Sequence, residues 1–393
     1  MLIHPNAGIN WQGNSEIFAV ELARRLDNHF EVELLSGSEC GSFSRPIKSV
    51  NRSDAANLAR HPLIWGILSR WVNHPEIAIE HLTSFLPCIS YLLKKPADLI
   101  FPQNDYGGLF VATCIRAIKG TPIMFTEHNG LLNQGKYLER NLALQPDHLI
   151  ALNPEVAEYA RRAAPHQAVS LIPCGIDASE FSPEGKAITT GLPEPTIICV
   201  ASLNRDDHQR IELTIKAVAN LPQASLLICG EGADREYFQD LGDRLLGKAR
   251  FQIRTFAYAQ MPQVYRSANL FTSASRQESR GLKYIEAMAC GLPVVATDDS
   301  MRRYLIGNGG ITCDVTNLAT YTKALRNTLE RQWYQQRPRQ NALRFSWQRI
   351  TLLYYQAVLK TISSQNQNLV YLRHNPSVKQ EGFQSTLSNY RCW

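Results

Sequence analysis

The sequence predicts an α/β protein made of two doubly wound domains in succession. Three observations predict this. Short apolar runs alternate with helically periodic ones along most of the chain. The alternation runs once before residue 173 and again after residue 195. The length, 393 residues, suits two domains at roughly 150 residues each.

The first half begins with a short strand, since only Leu2, Ile3 and His4 precede a polar loop. IFAVELARRL (17–26) has helical apolar spacing, and VELLS (32–36) reads as a strand. DLIFPQ (98–103), PIMFTEH (122–128) and HLIALN (148–153) are apolar runs ending in polar residues. Buried parallel strands have this form, with carboxyl ends that meet functional loops. YGGLFVATCIRAIKG (106–120) and EVAEYARRAA (155–164) are the helices between them. HLTSFLPCISYLL (81–93), broken by Pro87, reads as a kinked core helix, or else as a surface touching lipid or a partner.

The segment 173–195, rich in Gly, Pro and small polar residues, reads as the hinge. Beyond it TIICVASL (196–203), ASLLICGEG (224–232), LFTSAS (270–275) and PVVATD (293–298) read as strands. RIELTIKAVANL (210–221), REYFQDLGDRLL (235–246), MPQVYRSA (261–268) and GLKYIEAMACG (281–291) read as the helices between. RFSWQRITLLYYQAVLKTI (344–362) reads as an amphipathic helix. Residues 363–393, rich in Gln, Asn and Ser, read as a loose tail. The expected domains are therefore 1–172, 173–343, the helix 344–362 and the tail.

Composition narrows the classes. With 44% hydrophobic residues the chain is not wholly disordered. The net charge of +6 does not imply nucleic acid. That surplus is uneven: residues 331–393 hold nine Lys and Arg against one acid, Glu381. It reads either as a solvated surface or as attraction to an anionic membrane face, worth about 1 kcal/mol per basic residue near that surface. No apolar run approaches the roughly 18 residues a spanning helix needs, and MLIHPNAGINW lacks the order of a signal peptide. Nine cysteines include no C-x-x-C pair, and Cys199 and Cys229 sit in apolar runs as reduced core residues. A cytoplasmic protein with no zinc site and no disulfide framework is expected.

The strongest motif is RQESRGLKYIEAMACGLPVVATD (276–298). Glu278 sits in the loop before a helix starting near Gly281, and Glu286 follows after seven intervening residues. Free backbone N–H groups at such a helix start suit a diphosphate. Glu286 could accept from the two hydroxyls of a ribose, and Glu278 could face sugar hydroxyls. Solvated helix-end acids would look the same in isolation.

At this motif, E-x7-E with EAMACGLPVVATD, the chain resembles the family-4 glycosyltransferases, retaining enzymes of the GT-B fold. Other blocks follow in that family's order: NWQGNSEIFAVELARRL (10–26), FTEHNG (125–130), LIPCGIDASEF (171–181), LLICGEGADREYF (226–238) and MPQVYRSANLFTSAS (261–275). The resemblance spans roughly residues 2–362. It implies two Rossmann-like domains facing across a cleft, the first binding acceptor and the second a UDP-, GDP- or ADP-linked sugar. The helix 344–362 would cross back to the first domain. It implies transfer with retention and without a metal or other cofactor. Glu278 would bind the donor sugar and Glu286 the ribose. Gly281 and Leu282 would offer backbone N–H groups, His128 would stand near the reacting centre, and Gly13 would lie in a loop closing on the donor. Gly230 and Gly232 read as turn formers. The acceptor would be a glycan or glycolipid of envelope or exopolysaccharide synthesis.

The chain departs from the family in three places. Ser202 stands where an Arg is usual and Gln209 where a Lys is usual, leaving Arg205, His208 and Arg210 as candidates for the phosphates. Arg280 replaces an aromatic residue and could restore positive charge. The first strand is short. Two rival readings share the fold: a non-catalytic subunit that binds a nucleotide sugar or a partner, and a sugar-nucleotide epimerase.

Overall fold

The computed structural model describes residues 1–8, 14–50, 52–68, 75–104, 107–205, 208–276, 278, 280–331, 333 and 336–374. Gly13 lies outside the described residues, as do 375–393 of the expected tail. The chain divides into two compact units. One comprises residues 1–151, 157–170 and those from Thr351 onward; the other comprises 152–156 and 171–350.

In the first unit the strands are β1 (Leu2–His4), β2 (Leu34–Ser36), β3 (Ser44–Pro46), β4 (Phe101–Pro102), β5 (Met124–Glu127), β6 (His148–Ala151) and β7 (Val169–Leu171). They lie in the order β3-β2-β1-β4 and β5-β6-β7, joined by a parallel bridge between Ile100 and Ile123. β4 is shorter than the run 98–103 suggests, because Pro102 has no N–H to extend the ladder. The helix Asn14–Leu26 turns Phe18, Ala19, Leu22, Ala23 and Leu26 inward, the i, i+1, i+4, i+5, i+8 stripe of an amphipathic helix. The helix Pro75–Lys94 runs through Pro87 and buries Cys88 and Leu92, but leaves Leu82 and Leu86 exposed, so it is core on one face only.

The second unit holds β8 (Thr196–Val200), β9 (Ser225–Cys229), β10 (Phe251–Arg254), β11 (Leu270–Ser273), β12 (Val294–Thr297) and β13 (Gly310–Cys313). All are parallel, in the order β10-β9-β8-β11-β12-β13. Alternate residues feed two cores. Ile198, Leu227, Phe271 and Val294 pack with Tyr284, Ile285 and Met288. Ile197, Cys199, Leu226, Ile228 and Val295 pack with Ile215, Phe238 and Tyr321. Strand order reverses between β8 and β11. Ligands of open α/β sheets bind at the carboxyl ends beside such a reversal.

The final helix differs from the expectation of residues 344–362. It runs from Trp347 to His374, so residues 363–374 are helix rather than loose tail. Its inward stripe is Tyr354, Ala357, Val358 and Thr361, all buried. Thr361 Oγ1 lies 2.9 Å from His148 Nδ1 and Tyr355 stacks on Phe30 at 5.2 Å, both within the first unit. This packing, rather than the polar sequence beyond, sustains the helix.

Candidate functional site

The second unit carries the motif. β11 ends at Ser273, and the chain then loops past Glu278 into the helix Leu282–Ala289. Arg302, 1% exposed, fixes that loop: its guanidinium donates to the Ser275 carbonyl at 2.9 Å, the Ser275 hydroxyl at 2.7 Å and the Tyr284 hydroxyl at 2.9 Å, and it pairs with Asp299. Gly281 precedes the helix with φ +65°, and a Cβ there would stand 2.3 Å from Leu305 Cδ1. Glycine is required on both counts. The Arg276 N–H donates to the His208 carbonyl at 2.7 Å, tying this loop to the one after β8 across the strand reversal.

Three side chains meet there. Lys283 Nζ lies 2.8 Å from Glu278 Oε2 and donates to Gln209 Oε1 at 3.4 Å. Burial opposes the charge on Lys283, but Tyr284 and Glu278 outweigh it and raise its pKa. The ammonium therefore stays protonated at neutral pH, at the end of the sheet where Gln209 offers no charge of its own.

Glu286 is buried, with both oxygens engaged. The Tyr258 hydroxyl donates to Oε1 at 2.8 Å and the Tyr265 hydroxyl to Oε2 at 2.9 Å. Burial raises the Glu286 pKa, while the two phenol hydrogen bonds work the other way. An ionised carboxylate has about four acceptor positions, so two phenols leave room for two more donors. Just before Tyr258 in the chain, a cavity of about 590 Å³ opens at the carboxyl ends of β9 and β10, lined by Glu231, Gly232, Arg235, Ile253, Arg254 and Thr255. Its size falls in the range of small-molecule sites.

The other expected residues divide. Leu282 opens the helix beside Gly281. Arg280 is half-buried, and its charge reaches Cys174, whose thiol burial pushes up to about 11 against that pull. The Arg205 guanidinium sits over the Tyr237 ring at 4.1 Å. Arg210, in a left-handed conformation at φ +49°, precedes the helix Ile211–Ala219, and its charge acts on Asp314. Ser202 is exposed. Gly230 and Gly232 are packing residues, since added Cβ atoms would meet the Ala201 and Leu203 carbonyls at 1.9 and 2.4 Å.

In the first unit, His128 follows β5. Its Nε2 lies 3.3 Å from Gln103 Oε1, and its ring meets Phe18 edge-on at 5.2 Å. Buried His4 and Gln103 close β1 and β4 where strand order reverses in this unit. Sequence reasoning did not single out His4, Gln103, Lys283, Tyr258, Tyr265 or Arg302. Lys283 stands within the motif, but its partner Gln209 lies 74 residues away.

Comparison with known proteins agrees with this architecture. Residues 15–180 match the family model "Glycosyltransferase Family 4", and residues 186–345 match "Glycosyl transferases group 1". A GDP-mannose-dependent alpha-(1-6)-phosphatidylinositol monomannoside mannosyltransferase of Mycolicibacterium smegmatis is 27% identical over 194 residues, 44% of this chain and 50% of that protein. The matched stretch is thus half of that relative's length. Among solved structures, the lipopolysaccharide outer core galactosyltransferase WaaB covers 91% of this chain and 98% of its own, with a TM-score of 0.69 and 16% identity. Anabaena HepE in complex with UDP and glucose covers 92% of this chain and 98% of its own, with a TM-score of 0.63 and 16% identity. With two parallel α/β units, the E-x7-E helix at a strand reversal, and both family models matched in tandem, the chain belongs to the family-4 glycosyltransferases, enzymes of the GT-B fold.

Proposed function

We propose that this glycosyltransferase moves a hexose from a nucleotide sugar to a glycolipid or glycan acceptor, with retention of configuration and without a metal. The observation that carries this reading is the placement of Lys283 against Glu278 and Gln209 at the carboxyl edge of the second sheet. A departing nucleoside diphosphate gains negative charge as the sugar bond breaks, and a fixed cation must meet it. Lys283 provides that cation where Gln209 does not. The N–H groups of Gly281 and Leu282 add the positive end of the helix. Glu278, held by Lys283, is placed to bind donor-sugar hydroxyls. Glu286, held by Tyr258 and Tyr265, accepts from the ribose. In the first unit His128 serves the reacting centre. Arg280, next to the helix start, is a further cation of the motif for the diphosphate.

Several relatives support the substrate classes. HepE was solved with UDP and glucose, which favours a UDP-linked donor, while the mycobacterial relative is described as GDP-mannose-dependent. The acceptors named for that relative and for WaaB are glycolipids, which favours a lipid-linked acceptor in envelope synthesis. Work at the cytoplasmic face of a membrane follows from such an acceptor. A thermal-shift panel of UDP-, GDP- and ADP-sugars tests the reading. Ligand at 100 times Kd stabilises by about 2.7 kcal/mol, so one nucleotide class should raise Tm clearly. No shift with any of them overturns it. A donor that turns over without acceptor, giving an epimer, would favour the epimerase reading.

A further inference from the structure

A second cavity, of about 850 Å³, lies at the opposite edge of the same sheet. It is lined by Gly307, Asn308, Gly310, Arg331, Trp333, Arg337, Gln340, Asn341 and Arg344. Gly310 opens β13 and pairs with Val294 at the start of β12, so this cavity is at the amino ends of the strands. The donor site proposed above is at the carboxyl ends.

Its walls are cationic by construction. Arg337, Gln340, Asn341 and Arg344 follow i, i+3, i+4, i+7 spacing along the helix Gln336–Ala342 and the turn after it, so they share one side. Arg344 is set in place from beneath. Asn341 Nδ2 donates to the Leu305 and Ile306 carbonyls at 2.7 and 2.9 Å, and its Oδ1 accepts from Arg344 Nη1 at 2.8 Å. The Arg344 guanidinium also lies over the rings of Tyr304 and Phe345, at 5.6 and 5.2 Å. Gly307, at φ +45°, leaves the space: a Cβ there would stand 2.9 Å from Asn341 Oδ1 and 3.4 Å from Arg344 Nη1. Across the cavity, Arg331 lies 4.7 Å over the Trp333 ring, itself fixed by Nε1 donating to the Thr328 carbonyl at 2.8 Å.

Among the described residues, no carboxylate pairs with Arg331, Arg337 or Arg344. The sequence contains no Asp or Glu from residue 331 to residue 380. By contrast, Arg339 on the same helix is spent on structure, donating to the Ala289 and Ala178 carbonyls at 2.7 Å and to that of Phe181. Three guanidinium groups around one cavity repel one another. Two of them lie over aromatic rings, and Arg344 keeps donors beyond the one given to Asn341; a guanidinium can grip a multiply charged oxyanion in forked hydrogen bonds.

We infer that the cavity walled by Arg331, Arg337 and Arg344 binds a phosphate group, carried by an anionic phospholipid headgroup or by a soluble phosphate ester, separately from the donor. The inference does not depend on the donor reading, because the two cavities occupy opposite edges of the sheet.

The test uses the full chain in two forms, wild type and Arg331→Gln/Arg337→Gln, each with saturating donor nucleotide sugar so that the diphosphate site at the carboxyl ends is already filled. Both arginines are exposed, so the double variant should keep the wild-type Tm. Arg344→Lys, which keeps charge but not the fork, is a second, milder variant. Calorimetric titration with inorganic pyrophosphate is paired with co-sedimentation on phosphatidylglycerol and on phosphatidylcholine vesicles, at physiological salt. The expected result is binding that the double variant weakens at least tenfold and Arg344→Lys weakens less. Loss on phosphatidylglycerol vesicles alone identifies a lipid headgroup as the source, and loss with pyrophosphate alone identifies a soluble phosphate ester. Binding that the double variant leaves intact, or no binding of either probe, overturns the inference.

Discussion

Lys283 Nζ stands 2.8 Å from Glu278 Oε2, joining the first turn of one helix to the loop that precedes it. Neither side chain is fully buried, at 14% and 20% exposure. A ligand arriving at the strand ends can thus reach both. This pairing makes Glu278 an oriented acceptor rather than a solvated acid. Glu278→Gln keeps the shape and loses the charge. Turnover should fall at least tenfold and donor Kd change less, because the carboxylate acts on the sugar being transferred. Steady-state kinetics with direct donor titration would check it; wild-type kcat would remove the role.

Glu286→Gln should separate binding from stability. Loss of two charge-assisted hydrogen bonds to a ribose costs about 1.5–3 kcal/mol, or roughly tenfold to a hundredfold in donor Kd. The folding effect has the opposite sign. Burial raises the Glu286 pKa, so the fold carries a penalty for ionisation that is absent in acid. That penalty grows as pH rises from the unfolded value through the raised folded one. Urea unfolding between pH 4 and 8 should therefore show the variant gaining stability relative to wild type as pH rises. A pH-independent difference would contradict the account.

His148 ties the final helix to the first unit through Thr361, and its Nε2 lies 2.8 Å from Ser170 Oγ. Burial, with a smaller push from Lys360, lowers its pKa to about 4. The folded state therefore resists protonation that the unfolded chain accepts near 6.5. Stability is full above that value and falls as pH drops toward 4, by about 3 kcal/mol at 1.36 kcal/mol per pKa unit. Unfolding of the first unit should show this slope in wild type and lose most of it in His148→Gln.

Gly281→Ala combines a left-handed backbone with a Cβ 2.3 Å from Leu305 Cδ1. The conformation costs about 1–2 kcal/mol and the crowding about 1–3 kcal/mol. Tm should fall, and donor affinity with it, since Gly281 sets the direction of the helix start. An unchanged Tm would mean that the loop adapts freely.

Much of this was legible in the sequence because buried parallel strands are apolar throughout: TIICV, SLLIC and VVAT are visible as runs. The edge strands β10 and β13 escaped notice because FQIR and GITC are only half buried and carry no run. The final helix was cut short because residues beyond 362 are polar, while packing within the first unit holds the inward stripe that precedes them. At the site, Glu278, Gly281 and Glu286 were legible as one local motif. Lys283, Tyr258 and Tyr265 were not, because their roles depend on partners brought together by the sheet. Arg205 was expected near the phosphates from its place in the loop alone; its contact with the Tyr237 ring, 32 residues on, carries no sequence signal.

The most direct test of the account is the charge at Gln209 and Lys283. With the best donor from the thermal-shift panel, nucleoside diphosphate release is measured in EDTA for wild type, Lys283→Gln and Lys283→Gln/Gln209→Lys. Lys283 Nζ and Gln209 Oε1 are 3.4 Å apart, so a lysine at 209 can return the charge to nearly the same place. The account predicts wild-type turnover without metal, a loss of about a hundredfold in Lys283→Gln, and recovery of at least tenfold in the double variant. Turnover of Lys283→Gln at the wild-type rate, or wild-type activity abolished by EDTA and restored by Mg²⁺ or Mn²⁺, would contradict it.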